Sequence, residues 1–409
     1  MQDIDPSRYS LTARWVFPVS SPPLENGVIE IESGRITAIH NRACPHAIPC
    51  GNVALLPGLV NAHTHLEFSD LSRPVEPALP FTQWIKSLVS VRRDHPATAS
   101  VIQQGLSECR AAGTTQVGEI ATQDWPPQAY HQIGIGTTAF RELIGLLPEQ
   151  AAAQLEIARQ WLEVSDQHDT TVTRGLSPHA PYSVHPDLYR DLVHLAAETQ
   201  APLAIHLAET PAELELLDRG TGEFVALLQR FNAWDPHSIS RGTRPLDYLR
   251  PLAAVRRGLV IHGNYLESAE FDWLAANPQV SVVYCPRTHA YFQHPPHPWR
   301  TLLGRGINVA LGTDSRGSNP DLSLWREMQF LAKTFPDVAP AQILALGTRC
   351  GAVALGCESE LGTLELGKRA PGACVPLPEA EAGDPYQLLF AGNAALALSA
   401  PRQRDGTGS

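Results

Sequence analysis

The fold of this chain is indicated most directly by an apolar segment that ends in two histidines, Leu55-Leu56-Pro57-Gly58-Leu59-Val60-Asn61-Ala62-His63-Thr64-His65. A short apolar run of this kind predicts a buried strand. Side chains two residues apart in an extended chain point to the same side, so His63 and His65 can reach one point. The segment therefore predicts a strand whose end presents two imidazoles.

Further apolar runs follow the first, and helical patterns lie between them. The eight predicted strands are residues 54–61, 115–120, 137–143, 171–176, 203–206, 259–262, 280–284 and 307–311. The intervening helical stretches include residues 151–164, 188–198, 213–230 and 324–334. Eight strands alternating with helices favour an α/β fold with a closed (β/α)8 TIM-like barrel, although periodicity alone also allows a doubly wound open sheet.

Three more runs lead to a side chain that can bind metal. His206 ends the fifth run, His262 ends the sixth, and Asp314 follows the eighth. The C-terminal ends of barrel strands meet at one face, where active sites lie. Any one of the 16 histidines is more often a surface or core residue than a ligand. Their recurrence at strand ends favours a nitrogen and oxygen site for Zn²⁺ or Fe²⁺.

The two ends of the chain have a different pattern. Residues 28–31 and 36–40 flank a turn-like spacer and predict a hairpin, and residues 361–377 form short extended pieces between glycines and a proline. Neither end has enough apolar surface to stand alone. We therefore expect a small sheet made jointly by residues 1–55 plus 355–409, beside a barrel of residues 56–354. Residues 231–257 predict a lid or an added loop.

Composition limits the classes of partner. The formal net charge is -11, which argues against a nucleic-acid or anionic-membrane partner. The seven cysteines are scattered without a CxxC pair, and the first 20 residues lack an uninterrupted apolar segment. We expect a soluble cytoplasmic protein that acts on a small molecule, and a homo-oligomer is compatible with the sequence.

Several segments together resemble the amidohydrolase superfamily, in its mononuclear deaminase and chlorohydrolase branch. The resemblance rests on the first apolar segment and on three others, Ser177-Pro178-His179-Ala180-Pro181-Tyr182-Ser183, Ile205-His206-Leu207-Ala208-Glu209-Thr210 and Leu311-Gly312-Thr313-Asp314-Ser315. It covers nearly the whole chain. It implies a TIM-like barrel with a composite β-sandwich, and hydrolytic deamination of an aminated nitrogen heterocycle.

The resemblance also implies roles for individual residues. The ligands of one divalent ion would be His63, His65, His206 and Asp314, with Zn²⁺ as the first choice and Fe²⁺ as the alternative. Such an ion lowers the pKa of water from about 15.7 to about 7. His262 and Asp314 would hold and deprotonate that water, and Glu209 would move a proton to the ring nitrogen and then to the leaving group. A helix-terminal carboxylate is the plainer interpretation of Glu209.

The metal count can be addressed from the lysines. Binuclear relatives usually bridge two metals with a modified lysine from the fourth strand, and this chain has no lysine between Lys86 and Lys333. The resemblance therefore implies a single metal, and the alternative is a second metal bridged by a carboxylate such as Glu142.

The substrate is indicated less directly. Residues 84–93, with Phe68 before them, resemble the aminodeoxyfutalosine deaminases of menaquinone biosynthesis, whose substrate is an adenine nucleoside that carries a benzoate. Histidine follows the seventh strand where purine-nucleoside deaminases carry a serine-asparagine pair, which argues against simple adenosine or methylthioadenosine. The predicted substrate contacts are His179, Arg93, Arg141, Trp84, Phe68, Tyr182 and His289. Solvated arginines and core aromatics are the plainer interpretation.

Two other functions remain open at this stage. The same site could remove halide, as in the triazine chlorohydrolases, although Glu209 favours an amine leaving group that needs a proton. A non-catalytic barrel would have lost one or more metal ligands, and every ligand position is filled here.

Overall fold

The structure is a computed structural model and describes residues 7–122, 126, 129–130, 133–163, 172–379 and 383–398. Within these ranges the strands are β1 (Arg8–Val16), β2 (Leu24–Glu32), β3 (Arg35–His40), β4 (Ile48–Pro49), β5 (Val53–Leu56), β6 (Leu59–Thr64), β7 (Thr114–Ala121), β8 (Gly136–Leu143), β9 (Val172–Pro178), β10 (Leu203–Leu207), β11 (Gly258–His262), β12 (Val280–Tyr284), β13 (Val309–Leu311), β14 (Ala373–Pro376) and β15 (Leu396–Ala397).

The α-helices alternate with the later strands. In the described part of the chain they are α1 (Phe81–Asp94), α2 (Ala99–Ala111), α3 (Ala151–Glu163), α4 (Pro186–Thr199), α5 (Pro211–Arg219), α6 (Glu223–Arg230), α7 (Pro245–Leu249), α8 (Ser268–Ala276), α9 (Pro286–Tyr291), α10 (Trp299–Gly304), α11 (Leu324–Thr334), α12 (Pro340–Leu346), α13 (Arg349–Leu355) and α14 (Pro385–Ala391). Among the described residues, each helix is too short or too polar to cross a bilayer.

Strands β6 to β13 pair in chain order as one parallel sheet. A bridge between Thr64 and Asp314 brings the first and last strands of this sheet together. The Asn61 side chain joins the same two strands, because its Nδ2 donates to Thr313 Oγ1 at 2.8 Å and its Oδ1 accepts from the Thr313 amide at 3.1 Å. The sheet is therefore a nearly closed barrel, which is the predicted architecture.

The predicted first strand, residues 54–61, is in fact two strands. β5 belongs to the composite sheet, and β6 begins the barrel at Leu59. Pro57 and Gly58 separate them, since proline lacks an amide donor for a sheet ladder. A Cβ at Gly58 would lie 2.0 Å from Thr115 Oγ1, so only glycine fits at this crossing point. The start of the predicted fourth strand, Thr171, lies outside the described residues.

The second sheet combines strands from both ends of the chain. Its order is β15-β14-β5-β1-β2-β3, with β4 paired to β1. The predicted hairpin is present, and positive φ at Ser33 (52°) and Gly34 (76°) gives the turn the twist that two-residue hairpins favour. β14 runs antiparallel to β5 and attaches the C-terminal segment. The fold class, a TIM-like barrel with a composite β-domain, is confirmed.

The chain divides into two compact units. One contains the residues up to Val60, Glu108–Thr115 and the residues from Ser323 onward, and the other contains Asn61–Ser107 and Gln116–Leu322. The core of the first unit is the buried face of the composite sheet, formed by Leu11, Ala13, Val16, Ile29, Ile31, Ile36, Leu55 and Leu364. The domain boundaries expected from the sequence, at 55/56 and 354/355, stay a prediction.

Most helices match their sequence patterns, with one division. The predicted helix of residues 213–230 is two helices, because Gly220 and Gly222 adopt positive φ between α5 and α6. Residue 164, the predicted end of α3, lies outside the described residues. The long connection of residues 231–257 contains α7 and a 3-10 turn at Arg250–Ala254, and its predicted role as a lid remains a hypothesis.

Candidate active site

Five polar side chains meet at the C-terminal ends of the barrel strands. His63 lies in β6 and His65 directly follows it, His206 lies in β10, His262 ends β11, and Asp314 follows β13. All five residues are buried, with at most 8% of their surface exposed. A parallel barrel gathers its strand ends at one face, so residues far apart in the sequence come together there.

The ligand atoms of these residues form one cluster. His63, His65 and His206 offer ring nitrogens within 4.8 Å of one another, and so do His63, His262 and the carboxylate of Asp314. Asp314 Oδ1 lies 3.6 Å from His63 Nε2 and 3.7 Å from His65 Nε2. The two groups share His63, and the structure therefore brings all predicted ligands to a single centre.

The donor set fits a divalent metal ion. Both ring nitrogens of His63 are buried without a hydrogen-bond partner, although burial of such atoms is unfavourable. His206 Nδ1–H donates to the carbonyl of His179 at 3.1 Å, which leaves the lone pair of Nε2 facing the centre. His65 Nε2 lies 3.4 Å from His206 Nε2. Converging imidazole nitrogens and a carboxylate are the donor set that Zn²⁺ or Fe²⁺ prefers.

Protonation states at the centre suit ligands. Burial lowers the pKa of His65 to about 3 and holds the pKa of His206 well below its ordinary value, so both imidazoles are neutral at pH 7. Burial alone would raise the pKa of Asp314, but the adjacent imidazoles of His63 and His65 outweigh it and lower the pKa. Asp314 also accepts from Ser315 N and Ser318 Oγ, which fixes its carboxylate.

A carboxyl group and an imidazole lie beside the centre. Glu209 Oε1 is 3.3 Å from His262 Nε2, and both side chains are buried. Burial, with the nearby charges of Asp314 and Glu213, raises the pKa of Glu209 well above its ordinary value. Burial lowers the pKa of His262 well below its ordinary value. The two pKa shifts favour a proton on Glu209 and a neutral imidazole at His262.

The position of Glu209 depends on Glu213, which the sequence analysis missed. The Glu213 carboxylate accepts from the amides of Ala208 and Glu209, each at 2.8 Å. Thr210 caps α5 by accepting from the Glu213 amide at 3.2 Å. The sequence signal was Thr210-Pro211-Ala212-Glu213, because a threonine followed three residues later by glutamate marks a helix start whose side chains bond to backbone amides.

Glu119 supports the other end of the cluster and was also missed. Its carboxylate accepts from Thr64 Oγ1 at 2.7 Å and from the Leu66 amide at 3.1 Å, on either side of His65. Burial raises its pKa well above the ordinary value although both hydrogen bonds lower it. A glutamate at the end of the second apolar run was visible in the sequence, but nothing there indicated that it faces β6.

The cluster borders a cavity of about 350 Å³. Its polar lining includes His65, His206, Glu209, His262 and Asp314. The apolar wall residues are Phe81, Trp84, Ile85, Leu88, Val89, Ile144, Leu146, Leu227, Leu228 and Phe231. A cavity lined by both a polar cluster and apolar side chains suits a ligand with a polar reactive group and an apolar extension. A separate surface cavity of about 410 Å³ between α5 and α8 contains none of the cluster.

A charged network crosses the wall of this cavity. Arg92 donates to both oxygens of Glu67, at 2.5 and 2.9 Å, and to Glu142 Oε2 at 3.3 Å. Burial would raise the pKa of Glu142, but Arg92 outweighs it and lowers the pKa, so Glu142 is ionised. Burial raises the pKa of Glu67 to about 7. Arg92 is the only arginine of the described cavity lining, and it already has two acidic partners.

Of the seven predicted substrate contacts, three line this cavity. His179 Nδ1 is 2.8 Å from Ser183 Oγ, Tyr182 stacks on Phe224 at 4.3 Å, and Trp84 Nε1–H donates to the Gly317 carbonyl. The pKa of His179 is lowered by burial, which keeps its ring neutral.

The other four predicted contacts lie elsewhere. The side chain of Arg93 is 74% exposed and pairs with Asp94, and Phe68 packs under the guanidinium of Arg92. Arg141 donates to the Thr122 carbonyl and borders a neighbouring cavity. His289 lies behind β12, against Tyr284. None of these four is part of the described lining of the cavity above the cluster.

The comparisons with known proteins agree with this geometry. The model of the amidohydrolase family matches residues 54–385, a range that contains every residue of the cluster. The chain belongs to the amidohydrolase family. The predicted resemblance is confirmed, and with it the class of enzyme, a hydrolase of non-peptide carbon–nitrogen bonds.

Curated relatives are nucleoside deaminases. A 5-methylthioadenosine/S-adenosylhomocysteine deaminase of Moorella thermoacetica is 31% identical over 87% of this chain and 82% of the relative. An aminodeoxyfutalosine deaminase of Deinococcus radiodurans is also 31% identical, over 77% of each chain.

Solved structures of the same fold include two further deaminases. An adenosine deaminase of Xanthomonas campestris with bound zinc is 26% identical, with a TM-score of 0.76 over 94% of this chain and 89% of that one. The Helicobacter pylori aminofutalosine deaminase is 23% identical, with a TM-score of 0.81 over 95% of this chain and 97% of that one, which supports the fold.

Proposed function

We propose that this amidohydrolase is a Zn²⁺-dependent deaminase that converts an adenine-type nucleoside, such as aminodeoxyfutalosine, to the lactam and ammonia. The observation that carries the proposal is the pairing of Glu209 with His262 directly beside the converging ligands. The two curated relatives, both deaminases of adenine-type nucleosides, support the substrate class.

The metal would be held by His63, His65, His206 and Asp314. When bound, Zn²⁺ supplies a Lewis acid that makes water a nucleophile near neutral pH. His262, whose pKa is lowered by burial, would be the neutral base that takes a proton from the attacking water, and the Asp314 carboxylate would hold the water and assist that transfer.

Glu209 provides the proton that the heterocycle needs. Burial raises the pKa of Glu209 and so favours the protonated carboxyl group, which would donate to the ring nitrogen next to the amino-bearing carbon. Water would add to that carbon as His262 takes one of its protons. The C–N bond would break when the other proton of the water passes through the ionised Glu209 to the leaving amino group, and His262 would then return its proton to Glu209 across their 3.3 Å contact. The products balance as a lactam carbonyl and ammonia. An amine requires protonation to leave and halide does not, so this carboxyl group supports deamination over halide removal.

The apolar wall residues support a nucleoside with an apolar or aromatic extension. Trp84, Leu88 and Phe231 lie along the walls and would pack against such a group. Arg92 is the cation available in the described lining for a substrate carboxylate, in place of Arg93 and Arg141.

We also propose a cytoplasmic location. All seven cysteines lie in the described part of the chain, and no disulfide joins any two of them. The lack of disulfides is usual in a reducing compartment.

Metal analysis and ammonia release test the proposal together. Purified protein should contain one metal per chain and release ammonia from at least one of adenosine, methylthioadenosine, S-adenosylhomocysteine or aminodeoxyfutalosine. H206A should lose the metal, whereas E209Q should keep the metal and lose about 100-fold or more in kcat. E215Q on the exposed face of α5 is the matched charge control. Stoichiometric metal with release of halide from a triazine, and no ammonia from any nucleoside, would contradict deamination.

A further inference from the structure

A histidine cluster lies behind the active site and has no part in the chemistry described so far. It consists of His289, His294 and His297, in the segment that follows β12. The ring centroid of His289 lies 5.3 Å from that of His294 and 5.8 Å from that of His297. This is the segment in which the sequence departs from the serine-asparagine pair of purine-nucleoside deaminases.

One member of the histidine cluster, His297, forms a hydrogen bond with the backbone of an active-site residue. His297 Nε2–H donates to the carbonyl of His262 at 2.7 Å, and His297 Nδ1 accepts from the Trp299 amide at 2.9 Å. Because one nitrogen accepts and the other donates, the ring is held as a single neutral tautomer. The ring stacks on Tyr284 with centroids 4.0 Å apart and planes 19° apart, and the residue is only 6% exposed.

The residue that receives this bond has an unusual backbone. His262 adopts φ of 67° and Gly263 adopts φ of 62°, so two successive residues at the end of β11 are left-handed. For a residue with a Cβ this conformation is unfavourable by roughly 1–2 kcal/mol and persists only where the surroundings determine it. The Gly263 amide donates to the Leu207 carbonyl at 3.1 Å on one side of the bend. His297 holds the peptide carbonyl on the other side.

The direction of the His262 side chain follows from this bend. A change of the His262 φ angle to an extended value would rotate its Cβ about the N–Cα bond and so redirect the ring. In the present conformation the ring places its Nε2 3.3 Å from Glu209 Oε1.

We infer that His297 is a positioning residue that fixes the left-handed backbone of His262 and thereby aims the His262 ring at Glu209 and the reacting water. The kinetic part of this inference rests on the proposed function, and the structural part does not.

Its neighbour in the cluster gives a matched control. His294 Nδ1 bonds to the Tyr265 hydroxyl at 3.0 Å, and no described hydrogen bond joins it to His262. Exchange of either histidine for phenylalanine keeps a ring in place and removes ring nitrogens. Only the change at residue 297 removes a donor to His262.

The experiment compares H297F, H297Q and H294F by two measurements. The first is hydrogen–deuterium exchange of a peptide covering residues 258–266, with metal content and thermal unfolding measured on the same samples. The second is the separation of kcat from KM for the best nucleoside substrate. H297Q is the rescue variant, because a glutamine Nε2 reaches about as far as the histidine Nε2 and also donates.

In H297F we expect the backbone amides of residues 258–266 to exchange hydrogen faster than in the unaltered enzyme. We also expect kcat to fall about 10- to 100-fold, with little change in KM or metal content. H297Q should recover most of both losses, and H294F should resemble the unaltered enzyme. Equal losses in H297F and H297Q, or in H297F and H294F, would overturn the inference. If H297F does not fold, H297N replaces it, because its shorter amide cannot reach the His262 carbonyl.

Failure of the proposed function is distinguishable from failure of this inference. If the unaltered enzyme releases no ammonia from any nucleoside, the proposed function fails. The exchange of residues 258–266 in the same variants still decides whether His297 holds the His262 backbone.

Discussion

Backbone conformation at single residues marks this active site. Ala208, His262 and Asp314 follow or end three barrel strands, and each has a positive φ although none is glycine. Such conformations are unfavourable for residues with a Cβ, and they accumulate where function requires a particular side-chain direction. Local strain here is the consequence of turning Glu209, His262 and Asp314 toward one point.

Ala208 offers a direct measure of that strain. Its φ is 53°, and its side chain takes no part in the proposed chemistry. We expect A208G to raise the free energy of unfolding by about 0.5–1 kcal/mol, because glycine adopts this conformation without a steric penalty. Urea unfolding of A208G and of A212G, a change inside the right-handed α5, checks the expectation. The A212G variant should lose about 1 kcal/mol, and equal losses in both would contradict it.

The charge of Glu142 should influence which substrate is preferred. Its ionised carboxylate neutralises part of the positive charge of Arg92 at the cavity wall. We expect E142Q to raise kcat/KM for aminodeoxyfutalosine relative to methylthioadenosine by about fivefold, since Arg92 becomes freer to pair with a substrate carboxylate. Ammonia release from both nucleosides measures the ratio. E149Q makes the same charge change at an exposed residue and should leave the ratio unaltered, and an unaltered ratio in E142Q would remove Arg92 from substrate recognition.

At the scale of elements, the turn between β10 and α5 should give the protein a measurable pH dependence. Burial raises the pKa of Glu213 from 4.5 to about 7 in the folded protein. Between these two values the folded chain binds more protons at this residue than the unfolded chain. Its contribution to stability is therefore complete below about pH 4.5, falls as the pH rises, and is lost above about pH 7.

The E213Q variant isolates this contribution, because glutamine does not titrate. We expect the difference in unfolding free energy between the two proteins to change between pH 5 and pH 7 and to become constant above pH 7. Urea unfolding at several pH values measures it. A difference that is constant across this range would show that Glu213 has an ordinary pKa.

Elements also explain why some site residues could be predicted and others could not. His63, His65, His206 and Asp314 stand at strand ends, and a barrel brings strand ends together whatever the details of packing. Arg92 and Arg93 are neighbours on α1, and about 100° of helix rotation separates their side chains. One reaches the cavity and the other is exposed. The sequence pattern of α1 does not indicate how the helix is rotated about its axis, and so it does not show which of the two arginines faces the cavity.

The same distinction applies to buried partners. Glu213 could have been found from its threonine cap, because that pairing is local in sequence. Glu119 and Thr64 are 55 residues apart, and His297 bonds to a backbone atom 35 residues away. Contacts of this kind follow from how strands and loops pack, which the pattern of a single sequence does not reveal. The eight-strand alternation was predictable because it repeats along the chain.

For the whole molecule, removal of metal should lower stability. An ion that binds only the folded state stabilises it by about 2.7 kcal/mol at a concentration 100 times its Kd. We therefore expect a chelator to lower the Tm of the purified enzyme, and added Zn²⁺ to restore it. Calorimetry of the enzyme and of H206A checks this, because the variant should show no response to the chelator. An equal response in H206A would place the stabilising ion elsewhere.

The closure of the barrel through Asn61 and Thr313 has a consequence for the newly made protein. These residues are 252 positions apart, and the proposed ligands His63 and Asp314 flank the same closure line. Ribosomes extend a chain from its N-terminus, so the first ligand emerges long before the last. We therefore expect a partly synthesised chain to lack a complete ligand set, and hydrolytic activity to begin only after the eighth barrel strand has paired with the first.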